Sequence, residues 1–473
     1  MFKNYKEIKE YIKKEKILFI DFKIIDLCGR LRHLTIPASR FTETLMKDGI
    51  GFDASNYGYA QVEKSDMVFY PDLASAHFEQ FSDLPTLSMF GDVYVIGEKN
   101  VPFNQYPRNI IKAAVDYMKS NKIADEMIIG PEYEFSVFDS VSYSTNPKDI
   151  SLKINNDESI DAANNLDSDG YHSSGAGAYH IDQPVDKTFD FRNEACLLMN
   201  EYDIPVKYHH HEVGGSGQLE IEVEMGDVIK MADDTIMAKY IIKNVAREFD
   251  MSATFMPKPI FNEAGNGMHV HMLLRKNGKS VFYEKGKYSN LSTTAMYFMG
   301  GILKHIKSLC AICNPTTNSY KRLVPGFEAP TTIGYATANR SSVIRIPSYA
   351  KKENTRFELR NPDATCNPYL AYSAILMAGI DGIKNKIDPQ DNNWGPYDCN
   401  LFDLSDKQKA KLDFLPGSLD EAIDALKKDY KYLLAGDVFS EDLINRWIKV
   451  IEKDNDEIKK IPHPAEYERY FDL

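Results

Sequence analysis

Four short segments of this chain alternate charged side chains with large apolar ones, and this alternation constrains its fold more than any other feature. Gly130-Pro-Glu-Tyr-Glu-Phe135 places Glu132 and Glu134 on one face of a strand, with Tyr133 and Phe135 on the other. Gln218-Leu-Glu-Ile-Glu-Val-Glu224 does the same with Glu220, Glu222 and Glu224. Met268-His-Val-His-Met272 sets His269 and His271 on one face, and Arg356-Phe-Glu-Leu-Arg360 sets Arg356, Glu358 and Arg360 together. His209-His-His-Glu212 stands just before the second of these strands. Taken singly, each reads as a strand with one wet face. Four of them, with Phe, Leu, Ile or Val in the opposite positions, point to a sheet whose polar face is a site.

The residue types define its chemistry. Carboxylates outnumber imidazoles, which suits hard cations such as Mg²⁺ or Mn²⁺ over zinc. Crowded carboxylates repel one another until a cation neutralises them. Arg322, Arg340, Arg345 and Arg360 supply planar forks that match phosphate and carboxylate groups, whereas Arg356 reads as a surface ion-pair residue. Metal-binding acids beside arginines are what phosphoryl transfer needs. No Walker A loop is present: Asn277-Gly-Lys-Ser280 has its tail, but Leu273 stands in place of the first glycine. The residues alone thus support a Mg²⁺- or Mn²⁺-dependent phosphate-handling enzyme.

Length and charge narrow the class. A chain of 473 residues suggests two or three domains, or one catalytic domain with an appendage. Its 56 basic and 69 acidic residues leave a net charge of −13, which argues against a nucleic-acid binder working by bulk attraction to phosphate. Met1 to Lys16 is dotted with Lys and Glu and lacks a signal-peptide core, and no apolar run is long enough for a membrane span. The 6 cysteines are scattered, so reduced thiols and a cytoplasmic location are expected. Cys310 and Cys313 continue a helical apolar stripe through Ile302, Ile306 and Leu309, which reads as two buried thiols.

Ile17 to Ile96 reads as short strands and loops, with strands at Leu18–Asp26 and Asp92–Ile96. A helix over Tyr106–Met118, entered through Pro107, opens a second domain, which sets the domains at 1–104 and 105–473. Residues 141–180, rich in Ser, Asn, Asp and Gly, read as an irregular excursion. Beyond 365 the chain turns helical, with Asn367-Pro368 as cap and first residue of one helix. Ser418-Leu-Asp-Glu421 is a capping box opening another that stops near Gly436.

In this order, a set of blocks resembles the class I glutamine synthetases of bacteria and archaea. They are Gly51-Phe-Asp-Ala-Ser55, Gly130 to Phe135, His209 to Val213 with Gly217-Gln-Leu-Glu220, Thr254-Phe-Met-Pro-Lys-Pro259, Gly265-Asn-Gly-Met-His269, Asn318 to Pro330, Asn339-Arg-Ser341 and Arg356 to Arg360. The resemblance runs from about residue 15 to the His463–Phe471 tail. It implies an α+β chain: an N-terminal β-grasp domain followed by the family's catalytic domain, a curved antiparallel sheet backed by helices. It further implies two stacked hexameric rings, a homododecamer, with each site shared between neighbouring subunits.

By the same resemblance, Glu134, Glu212 and Glu220 would hold one metal and Glu132, His269 and Glu358 another, with two or three Mg²⁺ or Mn²⁺ ions per site. ATP, the co-substrate, would meet Arg340 and Arg345 with His271 nearby, and glutamate would meet Gly265, Arg322 and Arg360. Asp53 of a neighbouring subunit would take a proton from ammonium beside Tyr179, and Glu328 would screen the intermediate from water. Ala264, Asn56 and Leu273 depart from the family's usual Asn, Ser and Ser. Phe402 replaces the tyrosine that some members adenylylate, so no adenylylation is expected there. The implied reaction joins ammonium to the γ-carboxylate of glutamate at the expense of ATP. Ala264 and Asn56 motivate an alternative, a γ-glutamyl ligase for an organic amine or polyamine. A non-catalytic relative would be free to lose metal ligands, and this chain keeps all six.

Overall fold

A computed structural model describes residues 2–60, 64–164, 168–173, 175–326, 329–339, 341–399 and 412–470. The chain opens with the helix Tyr5–Lys14, whose first turn is capped by the Asn4 side chain accepting from Glu7 N–H, and which buries Ile8 and Ile12 four residues apart. Two four-stranded sheets follow. One orders Leu31–Pro37, Phe19–Ile25, Thr86–Met89 and His77–Phe78; the other orders Ile50–Asp53, Asp66–Pro71, Gly91–Val95 and Val101–Pro102. Phe22 of the first and Phe69 of the second meet with ring centroids 5.4 Å apart, so the sheets share one core.

The larger part is built on a 10-stranded sheet. Its main path runs Val206–His211, Gln218–Val223, Glu126–Phe138, Val270–Lys276, Phe357–Leu359, Ser342–Ile346 and Thr332–Thr337. Every pairing is antiparallel except the last, which is parallel. The fold class is therefore α+β. Behind the sheet lie Val228–Glu248, Thr293–Cys313 and Pro368–Asn385. The last two cross at glycines: a Cβ on Gly382 would stand 2.1 Å from Tyr297 O and 2.6 Å from the Cα of Gly301. Arg108, on the helix Pro107–Ser120, ties the N-terminal strands to this layer, bonding Asp72 and Asp92 on one side and Asp233 of Val228–Glu248 on the other.

Several expectations need correction. Within 141–180 the chain forms a regular hairpin, Ser140–Asn146 against Asp149–Asn155. The helix capped by Ser418 ends at Lys428, and a 3-10 segment, Lys431–Asp437, carries the chain through Gly436. Arg356 is buried, with its guanidinium over the Tyr349 ring at 5.5 Å, and makes no ion pair among the described residues. Glu224 falls past the end of its strand and is exposed. Cys310 and Cys313 are, as expected, buried free thiols, and burial pushes their pKa up. No helix among the described residues is long and apolar enough to cross a membrane.

Candidate active site

Strand register assembles the polar face. Glu134 pairs directly with Glu220, and Glu220 with His210 on the next strand. Glu132 pairs with Glu222, which faces Tyr208. On the other flank His271 pairs with Glu358, and Glu358 with Arg345. Directly paired residues of an antiparallel sheet share a face, so these rows put seven carboxylate or imidazole groups side by side.

Two clusters adjoin. Glu132, His269 and Glu358 form one, and Glu134, Glu212 and Glu220 the other; in each, one ligand atom per residue lies within 4.8 Å of the others. His269 links them, its Nδ1 2.9 Å from Glu132 Oε2 and its Nε2 3.6 Å from Glu134 Oε1. Glu134 is fixed in turn by accepting from Gly267 N–H at 2.6 Å. Burial raises the Glu132 carboxyl, but hydrogen bonds from His269 and His271 outweigh it and hold the group well below the usual range. Glu220 has no such help. Burial, then the charges of Glu132, Glu134, Glu212 and Glu222, push it well above the usual range. Buried carboxylates crowded around one raised group, with an imidazole among them, are a donor set that fits divalent cations.

Arginines close the other side. Glu358 accepts from Arg345 Nη1 at 2.6 Å and from Arg360 Nη1 at 2.5 Å, so one carboxylate aligns two guanidinium groups. Arg322 donates to the carbonyls of Asn361 at 2.8 Å and Arg360 at 3.1 Å. It lies over a glycine turn in which a Cβ on Gly265 would stand 2.3 Å from Pro257 O and 2.9 Å from Arg322 Cγ. The two clusters, the three arginines and Gly265 line one cleft of about 170 Å³.

Of the residues singled out in the sequence, Glu132, Glu134, Glu212, Glu220, His269, Glu358, Gly265, Arg322, Arg345, Arg360 and Tyr179 all line that cleft, as does Ala264. Tyr179 stacks on His180, with centroids 4.0 Å apart. His271 does not line it; it is buried behind Glu132, its Nε2 2.9 Å from Oε1. Leu273 is buried opposite Ile128 on the neighbouring strand, and Glu222 pairs with Lys207 at 2.6 Å. Asp53 is exposed and outside this chain's own cleft, its carboxylate accepting from Ser55 N–H and Oγ; Asn56 is exposed beside it. Glu328, Arg340 and Phe402 lie outside the described residues.

The cleft also takes residues to which the sequence alone assigned no role, among them Gln218 and His210, which lie within the segments singled out there. Gln218 donates to Gly265 O at 3.0 Å and accepts from Gly214 N–H at 2.7 Å, joining two loops of the site. Tyr208 and His210 line it too. The signal was available: Gln218 is in phase with Glu220, and Tyr208 and His210 are in phase with Glu212. Tyr349, reached by a loop, carries no such signal.

Fold and cleft together define a two-part α+β protein in which acid-and-imidazole clusters able to hold metal ions face an arginine wall. A family model described as the glutamine synthetase catalytic domain matches residues 104–470, and one described as the glutamine synthetase beta-grasp domain matches residues 16–96. The chain belongs to the glutamine synthetase family. It is 41% identical to a glutamine synthetase of Frankia alni, covering 100% of both chains. It is also 41% identical to that of Aquifex aeolicus, over 99% of this chain and 98% of that one. The cryo-EM structure of Plasmodium falciparum glutamine synthetase superposes with a TM-score of 0.89 at 32% identity, covering 99% of each chain.

Proposed function

We propose that the cleft joins ammonium to the γ-carboxylate of L-glutamate with ATP, giving glutamine, ADP and phosphate. The observation that carries this reading is the adjacency, in one cleft, of two metal-type clusters and the paired guanidinium groups of Arg345 and Arg360. Glu134, Glu212 and Glu220 would hold one ion and Glu132, His269 and Glu358 the other, as Mg²⁺ or Mn²⁺. Bound there, the ions would neutralise phosphate charge.

The chain's own residues do the rest. Arg322, Arg360 and the open backbone at Gly265 bind the carboxylate and amine of glutamate, leaving its γ-carboxylate toward ATP. Arg345 and Arg340 meet the phosphates and stabilise charge as the γ-carboxylate oxygen attacks the γ-phosphorus and ADP departs. Asp53 of a second copy takes one proton from ammonium beside Tyr179. Ammonia then adds to the γ-carbon, the C–O bond to phosphate breaks, and phosphate leaves carrying the adduct's surplus N–H proton, while Glu328 excludes water. This assigns Asp53 its role in a ring assembly, a dodecamer of two hexamers in the cytoplasm, with a domain division at 104/105.

Phosphate release from ATP with Mg²⁺ and glutamate tests the reading, with ammonium or putrescine as the amine. Ammonium-dependent release with glutamine as product is expected; release with putrescine alone, or none with either, would overturn it. Mixed Asp53→Ala and Glu134→Ala subunits should regain activity that neither has alone.

A further inference from the structure

A second cavity, of about 490 Å³, lies between the loop at Cys28–Leu31, the helices Val228–Glu248 and Glu441–Lys459, and the turns at Thr316 and Thr365. It shares no residue with the candidate active site. Its charge is unbalanced: Arg30, Lys239 and Lys243 line it against a single acid, Asp454. None of the three cations has a carboxylate partner among the described residues.

The two lysines sit one turn apart on the same helix face, and each Nζ lies 5.7 Å from the Phe255 ring centroid. Like charges spaced i,i+4 disfavour one another. Among the described residues Lys239 donates only to the carbonyl of Ala364, and burial with the nearby Lys243 charge pulls its ammonium down to about 8. Asp363 offsets part of this from a distance, but a desolvated cation beside a second cation, with no carboxylate in contact among the described residues, is a costly arrangement that a bound anion relieves. Thr316 and Thr365 also line the cavity, the Thr365 hydroxyl donating to Asp363, and Trp447 supplies an apolar wall.

The cavity also touches the segment that fixes Arg322. Asn361 and Pro362 give Arg322 its carbonyl acceptors; two residues on, Ala364 accepts from Lys239, and Thr365, which lines the cavity, bonds to Asp363. A ligand drawing on Lys239 and Thr365 therefore pulls on the backbone that positions Arg322.

We infer that this cavity is an effector site for a small dianion, a phosphate or a dicarboxylate, held by Arg30, Lys239 and Lys243 and felt at Arg322. The coupling, though not the binding, rests on the ligase reading.

Calorimetric titration of the full chain with inorganic phosphate and, separately, succinate tests binding, and the two arms tell the sources apart. Binding of one or both is expected. It should persist in Arg345→Gln, which impairs anion binding in the active-site cleft, and weaken by about tenfold in the surface variant Lys243→Gln. Lys239→Gln, checked for folding by circular dichroism, should weaken it further. Binding of neither anion, or binding that is lost in Arg345→Gln and intact in both lysine variants, would overturn the site. The bound anion should shift the glutamate KM of the wild type and leave that of Lys243→Gln in place; an unmoved wild-type KM at saturating anion would overturn the coupling. Should the wild type show no glutamate-dependent phosphate release, the ligase reading fails while the titration still decides the site.

Discussion

Arg322 and Gly267 are in such close contact that a Cβ on Gly267 would stand 2.3 Å from Arg322 Nη2 and 3.0 Å from His269 Nε2. The guanidinium thus occupies space that only glycine leaves free, and its direction follows from that contact together with its carbonyl partners on 360–362. Gly267→Ala should turn Arg322 away and lower kcat/KM for glutamate by ~10²-fold, as expected for a displacement of order 1 Å in a positioning group. Steady-state kinetics should show this with far-ultraviolet circular dichroism unchanged.

Glu220 is opposed by its surroundings, since burial and four neighbouring glutamates all act against its charge. Glu220→Gln should therefore be at least as stable as the wild type in chelator. It should gain much less from added Mg²⁺, where saturating the wild type at 100 times Kd is worth about 2.7 kcal/mol. Thermal unfolding with and without Mg²⁺ reads both effects.

His305 stands between Asp429, 2.8 Å from Nδ1, and Asp381, 3.0 Å from Nε2. Burial disfavours its charged form, but hydrogen bonds to Asp381 and Asp429 outweigh burial and raise the pKa. Its charge then stabilises the fold in full below the unfolded value near ~6.5, and that contribution is lost as pH rises through the raised folded value. His305→Gln should cost ~1–3 kcal/mol at low pH and less in alkali. Urea unfolding on either side of neutrality checks the sign.

Arg108 is buried against Asp72, Asp92 and Asp233, at 2.6, 2.8 and 3.0 Å. Arg108→Met would strand three carboxylates between the N-terminal strands and the catalytic layer, at a cost of ~3–5 kcal/mol. Burial raises the Asp72 carboxyl, but the Arg108 charge lowers it overall. The wild type therefore draws this stability above the unfolded value and loses it as pH falls through the folded one. The difference between wild type and variant should shrink in acid, which unfolding at successive pH values would show.

Much of the site was legible because its residues lie on strands. Glu132 and Glu134, Glu220, and Glu358 with Arg360 each declared a shared face by spacing alone. The hairpin Ser140–Asn146/Asp149–Asn155 escaped notice although its strands alternate, with Val141, Tyr143, Ile150, Leu152 and Ile154 set among Ser, Asn, Asp and Lys. Neither strand buries a residue, so this alternation packs against no core, and the polar composition of the segment read as a loop. The Ser418 cap was readable from its hydroxyl and Glu421, whereas the end of that helix at Lys428 follows from the chain turning at Asp429 toward His305. Arg356 looked like a surface residue because the ring it stacks on, Tyr349, reaches it from a separate loop.

The amino-acid sequence by itself determined which side chains face one way on each strand, where several helices begin, and, through its ordered blocks, the family. Those properties follow from backbone periodicity and local capping, which act over a few residues. Tertiary structure decided which strands lie side by side and in what register. That choice placed Glu220 opposite Glu134, aligned Arg345 and Arg360 on Glu358, and put His271 behind Glu132 and away from the cleft. Pairings between strands far apart in the chain are selected by burial of the whole sheet against its helices, a sum over the folded molecule that no local segment contains.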